Sequence, residues 1–241
     1  MISWTDIAEA SLAGLVGHAA LLDAEHATRG LDALRETDLH PLIETGLVGV
    51  GMGVLREHPF PGHPDDPPTT KDSARERCDL VVTERPGLRV FDALERSRVL
   101  DAASDGLFAE TAALEAGELA PDEITSDEAA WLEVKATAQH AYRDGVPGPN
   151  ARYSTELTRG PVGDLRKLSK EPGVVLGASL VVLFAETEAV VEHDLAAAAH
   201  TLIDSGGGVE SAVIRAAPFT DRVGNGAVGV LVASIVKTRG L

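Results

Sequence analysis

The chain has 241 residues, with 21 Lys+Arg against 38 Asp+Glu, for a formal charge of −17. That balance excludes sequence-blind binding of nucleic acid, which depends on basic side chains neutralising phosphates; it leaves room for a nuclease with a local basic track. At 44% hydrophobic, 24% charged and only 4% aromatic, the composition is that of a folded, soluble protein whose core is built from Ala, Val and Leu.

The N-terminal MISWTDIAEA lacks the basic-then-apolar order of an export signal, and no stretch approaches 18 uninterrupted apolar residues, so no membrane partner is expected. Residues 5–45 carry Ile7, Leu12, Leu15, Leu21, Leu31, Leu34, Leu39 and Leu42 at helical spacing, with Pro41 splitting the run or marking a first turn. Gly46 stands where a helix C-cap would fall, followed by a Gly-interrupted strand over 48–55. Residues 58–70 hold five prolines and read as a loop. Residues 78–83, CDLVVT, form a short strand. Its Cys78 is the single cysteine, which rules out an internal disulfide and points to a reducing, cytoplasmic setting. The stretch 102–119 is Ala-rich and helical, within a block between Arg98 and Lys135 that has ten acidic residues and no basic one. Residues 130–137, AWLEVKAT, alternate as a half-buried strand. A helix over 154–170 broken near Gly160-Pro161, an apolar strand over 173–184, an Ala-rich helix over 192–204 and strands over 209–216 and 227–236 complete the chain. The fold class is α/β, a central mixed β-sheet flanked by helices, in one domain over 1–241.

The chemistry concentrates at two strands. Period-two alternation puts Glu133 and Lys135 on one face of 130–137 while Val134 turns into the core. If the strand that starts near Asp79 is its neighbour, Asp79 and Glu133 converge. Two carboxylates at ~4 Å repel by roughly 4 kcal/mol at an effective dielectric near 20, so the pair calls for a proton or a hard cation, Mg²⁺ or Mn²⁺. The bland reading is a surface ion pair across the strand, worth about 0 to 1 kcal/mol, which explains little about charges interrupting an apolar sheet.

Asp79 ahead of Glu133-x-Lys135, with a helix and strand upstream and a helix and strand downstream, resembles the PD-(D/E)XK, or restriction-endonuclease-like, nuclease superfamily. The likeness covers a core of about residues 30–186, with 99–128 as an acidic helical insertion and 192–241 as a C-terminal helix and strands. It implies Mg²⁺- or Mn²⁺-dependent hydrolysis of nucleic acid, DNA ahead of RNA, with Asp79 and Glu133 as metal ligands and Lys135 at the attacking water. It further implies a supporting Glu on the first helix, assigned to Glu36 over Glu25, Glu44 and Glu57, and a role for Gln139, with Tyr142 near it. Two departures stand out: Cys78 replaces the Pro of the family motif, and 54 residues separate Asp79 from Glu133.

From Arg143 to Lys170 the charge reverses, with six basic residues against three acidic ones. Arg143, Arg152, Arg159 and Lys167 are the candidate phosphate contacts, with Tyr142 and Tyr153 available for stacking; the competing reading is a solvated helix face. Gly224-Asn225-Gly226-Ala227-Val228-Gly229 has the G-x-G-x-x-G spacing but leads into a strand, which fits a hairpin turn. His58, His63, Asp65 and Asp66 are more simply a surface loop than a zinc site. Two other functions stay open: a catalytically silent relative serving as a binding or assembly subunit, and an enzyme on a small substrate. A homodimer or a protein partner is compatible with each.

Overall fold

The computed structural model describes residues 2–61, 75–92, 119–143, 145–205 and 208–237. Ser3 opens the first helix, α1 (Trp4–Ala24), by accepting the Asp6 N–H, and α1 buries Ile7, Leu12, Leu15 and Ala19. The chain leaves α1 through His26, at φ 53, and a 3-10 turn (Leu31–Ala33) before α2 (Glu36–Gly49). That connection makes the break expected at Pro41, which lies inside α2. Strands β1 (Gly53–Pro59), β2 (Arg77–Thr83), β3 (Arg89–Val90), β4 (Glu123–Ile124), β5 (Ala130–Ala138), β6 (His140–Arg143) and β7 (Val146–Pro149) follow. Then come α3 (Tyr153–Lys170), β8 (Leu176–Ala185), α4 (Glu188–Asp204), β9 (Val209–Pro218) and β10 (Ala227–Val236).

Six strands form one mixed sheet in the order β1-β2-β5-β8-β10-β9. Only β5 and β8 pair in parallel, joined by α3; the other neighbours are antiparallel. The sheet is sandwiched. Leu80, Val82, Leu132 and Val134 join α1 and α2 in one core, while Val81, Trp131, Val181 and Leu183 join α3 and α4 in the other. β8 is buried on both faces, as its unbroken apolar run requires. β9 and β10 extend this same sheet, so the C-terminal strands share its cores.

Several local expectations are revised. Gly46 is no C-cap, because α2 runs on to Gly49 and Gly46 instead marks the closest crossing with α1. The strand expected over 48–55 starts only at Gly53, after a turn at Gly51 with φ 89. α3 continues through Gly160-Pro161, because Leu157, Pro161, Leu165 and Leu168 form one buried stripe whose packing overrides the proline's local cost. β5 is central and covered on both faces, not half-exposed. His58 and Pro59, placed in a loop by the sequence, belong to β1. The loop over 62–74 and the helix expected over 102–119, except Leu119, which is not helical, lie outside the described residues. β3 and β4 pair in parallel and bracket that segment, while β2 and β5 are neighbours despite the long gap. Trp4–Ala24 is long and apolar enough by length and composition to cross a membrane; here it packs on α2, β9 and β10.

A Cβ on Gly46 would lie 1.9 Å from the Ala10 carbonyl oxygen, whereas one on Gly17, within α1, meets nothing within 4 Å. Gly46→Ala is therefore expected to lower stability by about 1–3 kcal/mol through overpacking, and Gly17→Ala to raise it by about 0.5–1 kcal/mol. Urea denaturation of the two variants checks the opposite signs.

Candidate active site

The antiparallel ladder of β2 and β5 runs from Val82/Ala130 to Leu80/Leu132 and stops there. Continuing that register places Asp79 opposite Glu133, at the point where the strands part. The Asp79 carboxylate turns into the fork and accepts the Val134 N–H at 2.7 Å. A side chain thus supplies the partner that β2's backbone no longer offers.

Beyond the fork, α2 and α3 close on β5 from its two faces. Glu36, the first residue of α2, accepts the Ala136 N–H at 3.0 Å and lies 3.5 Å from Lys135 Nζ. Lys135 also donates to the Val134 carbonyl at 2.9 Å and lies 3.5 Å from Asp164 of α3. The stem of Lys135 runs along α3 at Gly160, where a Cβ would make ordinary contact with its Cδ at 3.4 Å. Two turns on from Gly160, Lys167 reaches Glu133 Oε1 at 2.9 Å and donates to the Arg77 carbonyl at 3.0 Å. The Glu133 contact is an ion pair out of line for a hydrogen bond, and both Glu133 Oε1 and Asp164 Oδ2 are buried without one.

Burial, with the Asp79 charge adding to it against the opposing Lys167, pushes the Glu133 carboxyl up to about 7. Burial likewise raises Asp164 to about 6 against the pull of Lys135, with Asp79 and Glu36 adding to the rise. For Lys135, burial works against the charge, but Asp164, Glu36, Asp79 and Glu133 outweigh it and raise its pKa, so it stays an ammonium. Four carboxylates around one lysine suit a divalent cation, which would satisfy the buried oxygens and displace the proton held by Glu133.

A second grouping adjoins the first. His40, Glu57 and Asp79 each present a ligand atom, all within 4.8 Å of one another. Glu57 falls between the β1–β2 pairs Arg56/Leu80 and His58/Cys78, facing Asp79, and holds φ at 49. A non-glycine residue in that region costs about 1–3 kcal/mol and is found preferentially at functional sites.

Asp79, Glu133, Lys135 and Glu36 are thus gathered in one place. Gln139 is elsewhere: it ends the β5 region, accepting the Glu186 N–H with its side chain and bonding Phe184 through its own N–H. Lys167, expected on an outer phosphate track, faces inward to Glu133. Arg152, at the N-cap of α3, and Arg159 on the helix are exposed, at seven-residue spacing with Arg166, and none of the three is ion-paired with a described residue. The side chain of Arg143 lies outside what is described. Tyr153 donates to Asp194 at 2.6 Å, and Tyr142 lies under the Arg29 guanidinium at 5.3 Å. Cys78 is fully buried, and burial pushes its thiol well up, so it stays a neutral thiol. His40 and Asp164 are the additions. His40 follows Glu36 by four residues on one face of α2, a spacing visible in the sequence. Asp164 had counted only toward the charge balance of its segment.

No family model matches this chain, and neither the curated proteins nor the solved structures compared with it show a significant similarity.

Native Glu133 keeps its proton to about 7, whereas an unfolded glutamate loses it near 4.5. Between these values the native state binds more protons, so without metal the protein should lose about 1–2 kcal/mol of stability as pH rises from 5 to 8. Glu133→Gln should flatten that slope, as measured by urea midpoints across the range.

Proposed function

We propose that the chain is a metal-dependent nuclease of restriction-endonuclease-like type, hydrolysing phosphodiester bonds in nucleic acid, DNA ahead of RNA, in the cytoplasm. The observation that supports the reading is the fork: where β2 and β5 part, the register sets Asp79 opposite Glu133, whose carboxyl feels the Asp79 charge, with Lys135 the next residue along the Glu133 face. The elements arrive in the expected order, α2, β1, β2, β5, α3 and β8.

Asp79 and Glu133 would hold Mg²⁺ or Mn²⁺. When bound, such an ion polarises a phosphate and lowers the pKa of a water. Lys135, kept protonated by the surrounding carboxylates, orients the attacking water and offsets charge as the new P–O bond forms and the ester P–O bond breaks. Glu36 positions Lys135 and anchors β5 through the Ala136 N–H. Arg152 and Arg159, both exposed, would meet phosphates outside the cleft. The second reading, a silent binding or assembly subunit, draws on the Lys167–Glu133 ion pair, which occupies the carboxylate that a metal needs.

With Mg²⁺ or Mn²⁺ the protein is expected to nick or degrade plasmid DNA, and Lys135→Ala to lower kcat by about 10²–10³-fold with an unchanged circular dichroism spectrum. Asp79→Ala and EDTA should abolish cutting. Metal binding requires ionised Glu133, so the rate should rise with pH through about 7. DNA and RNA both left intact with either ion would overturn the nuclease reading in favour of the binding subunit.

A further inference from the structure

We propose that His40, Glu57 and Asp79 form a seat for one divalent transition-metal ion, Zn²⁺ or Mn²⁺, beside the Asp79–Glu133 pair and sharing Asp79 with it. The three ligands come from three elements, α2, β1 and β2, and their donor atoms already lie within 4.8 Å of one another. Donors about 2.0–2.2 Å from one ion are about 3–3.5 Å apart, so a modest side-chain adjustment completes the set.

His40 shows that this is more than a cluster of acids. Its side chain is only 3% exposed, and Nε2 is buried with no hydrogen-bond partner. The ring faces Glu57, with Nδ1 3.9 Å from Oε1, beyond hydrogen-bond reach. Buried imidazoles are ordinarily bonded through their nitrogens; no hydrogen bond holds this ring, and an ion in the seat would bind whichever ring nitrogen faces the two carboxylates. Glu57 is 56% exposed and gives the ion a way in from solvent. Asp79 has committed Oδ2 to the Val134 N–H, an arrangement that fixes the carboxylate and leaves Oδ1 for coordination.

The nitrogen donor sets the class of ion. Mg²⁺ favours an all-oxygen shell and keeps its waters, whereas an imidazole with two carboxylates suits Zn²⁺ or Mn²⁺. The seat does not rest on the nuclease reading, because an ion can bind here whether or not nucleic acid is cut.

Co²⁺ is the probe, followed by its visible d–d absorption with the full chain and no nucleic acid. One Co²⁺ per chain is expected, displaced by stoichiometric Zn²⁺ and retained against an excess of Mg²⁺. His40→Asn and Glu57→Gln should each weaken Co²⁺ binding by at least about tenfold; circular dichroism verifies the fold of each. Absence of the bands, equal binding by folded His40→Asn and Glu57→Gln, or displacement by equimolar Mg²⁺ would overturn the seat. Mg²⁺-dependent cleavage through Asp79 and Glu133 could survive that result, and a protein that binds Co²⁺ but cuts nothing would retain the seat and lose the nuclease.

Discussion

The hydrogen bond from Val134 N–H to the Asp79 carboxylate is the constraint on which the site depends. An antiparallel ladder that ended without it would leave a buried N–H unpaired, at about 1–3 kcal/mol. With the carboxylate in place the strands can separate beyond Leu80/Leu132 at little cost. The separation makes room for Glu133 and Lys135 in the middle of a sheet covered on both faces. The same bond orients Asp79, so one interaction both opens the cleft and positions its first acid.

The charges in the cleft are poorly matched. Glu36, Asp79, Glu133 and Asp164 surround Lys135, and Lys167 offsets Glu133 alone. Burial makes the imbalance costly, which is why Glu133 and Asp164 hold protons well above the usual carboxylate range. A stable core would replace such a group with apolar residues. Under the proposed function, a divalent cation would offset this excess of negative charge.

Helical periodicity brings distant acids to the fork. Glu36 and His40 are one turn apart on α2, and Gly160, Asp164 and Lys167 share the inward face of α3. Pro161, buried next to Gly160, keeps α3 pressed on the sheet without ending it. Meanwhile Arg152, Arg159 and Arg166 remain on the outer face. The basic segment is thereby divided between a lysine that offsets Glu133 and arginines that meet solvent.

The sequence by itself determined the α/β class, the strand character of 78–83 and 130–137, and the shared face of Glu133 and Lys135, because hydrophobic alternation is local and read directly from residue order. It also singled out Asp79 and Glu36. Helix ends at Pro41, Gly46 and Gly160 were misjudged, because packing against a sheet outweighs proline and glycine preferences that act over only a turn. The neighbouring of β2 and β5 across a gap of 54 residues was a requirement of the motif, and only the sheet established it. Likewise, the inward turn of Lys167, the convergence of Asp164, and the meeting of His40 and Glu57 at Asp79 were decided by tertiary structure. Those contacts join residues far apart in the chain, and their geometry follows from how three layers stack, which no local pattern encodes.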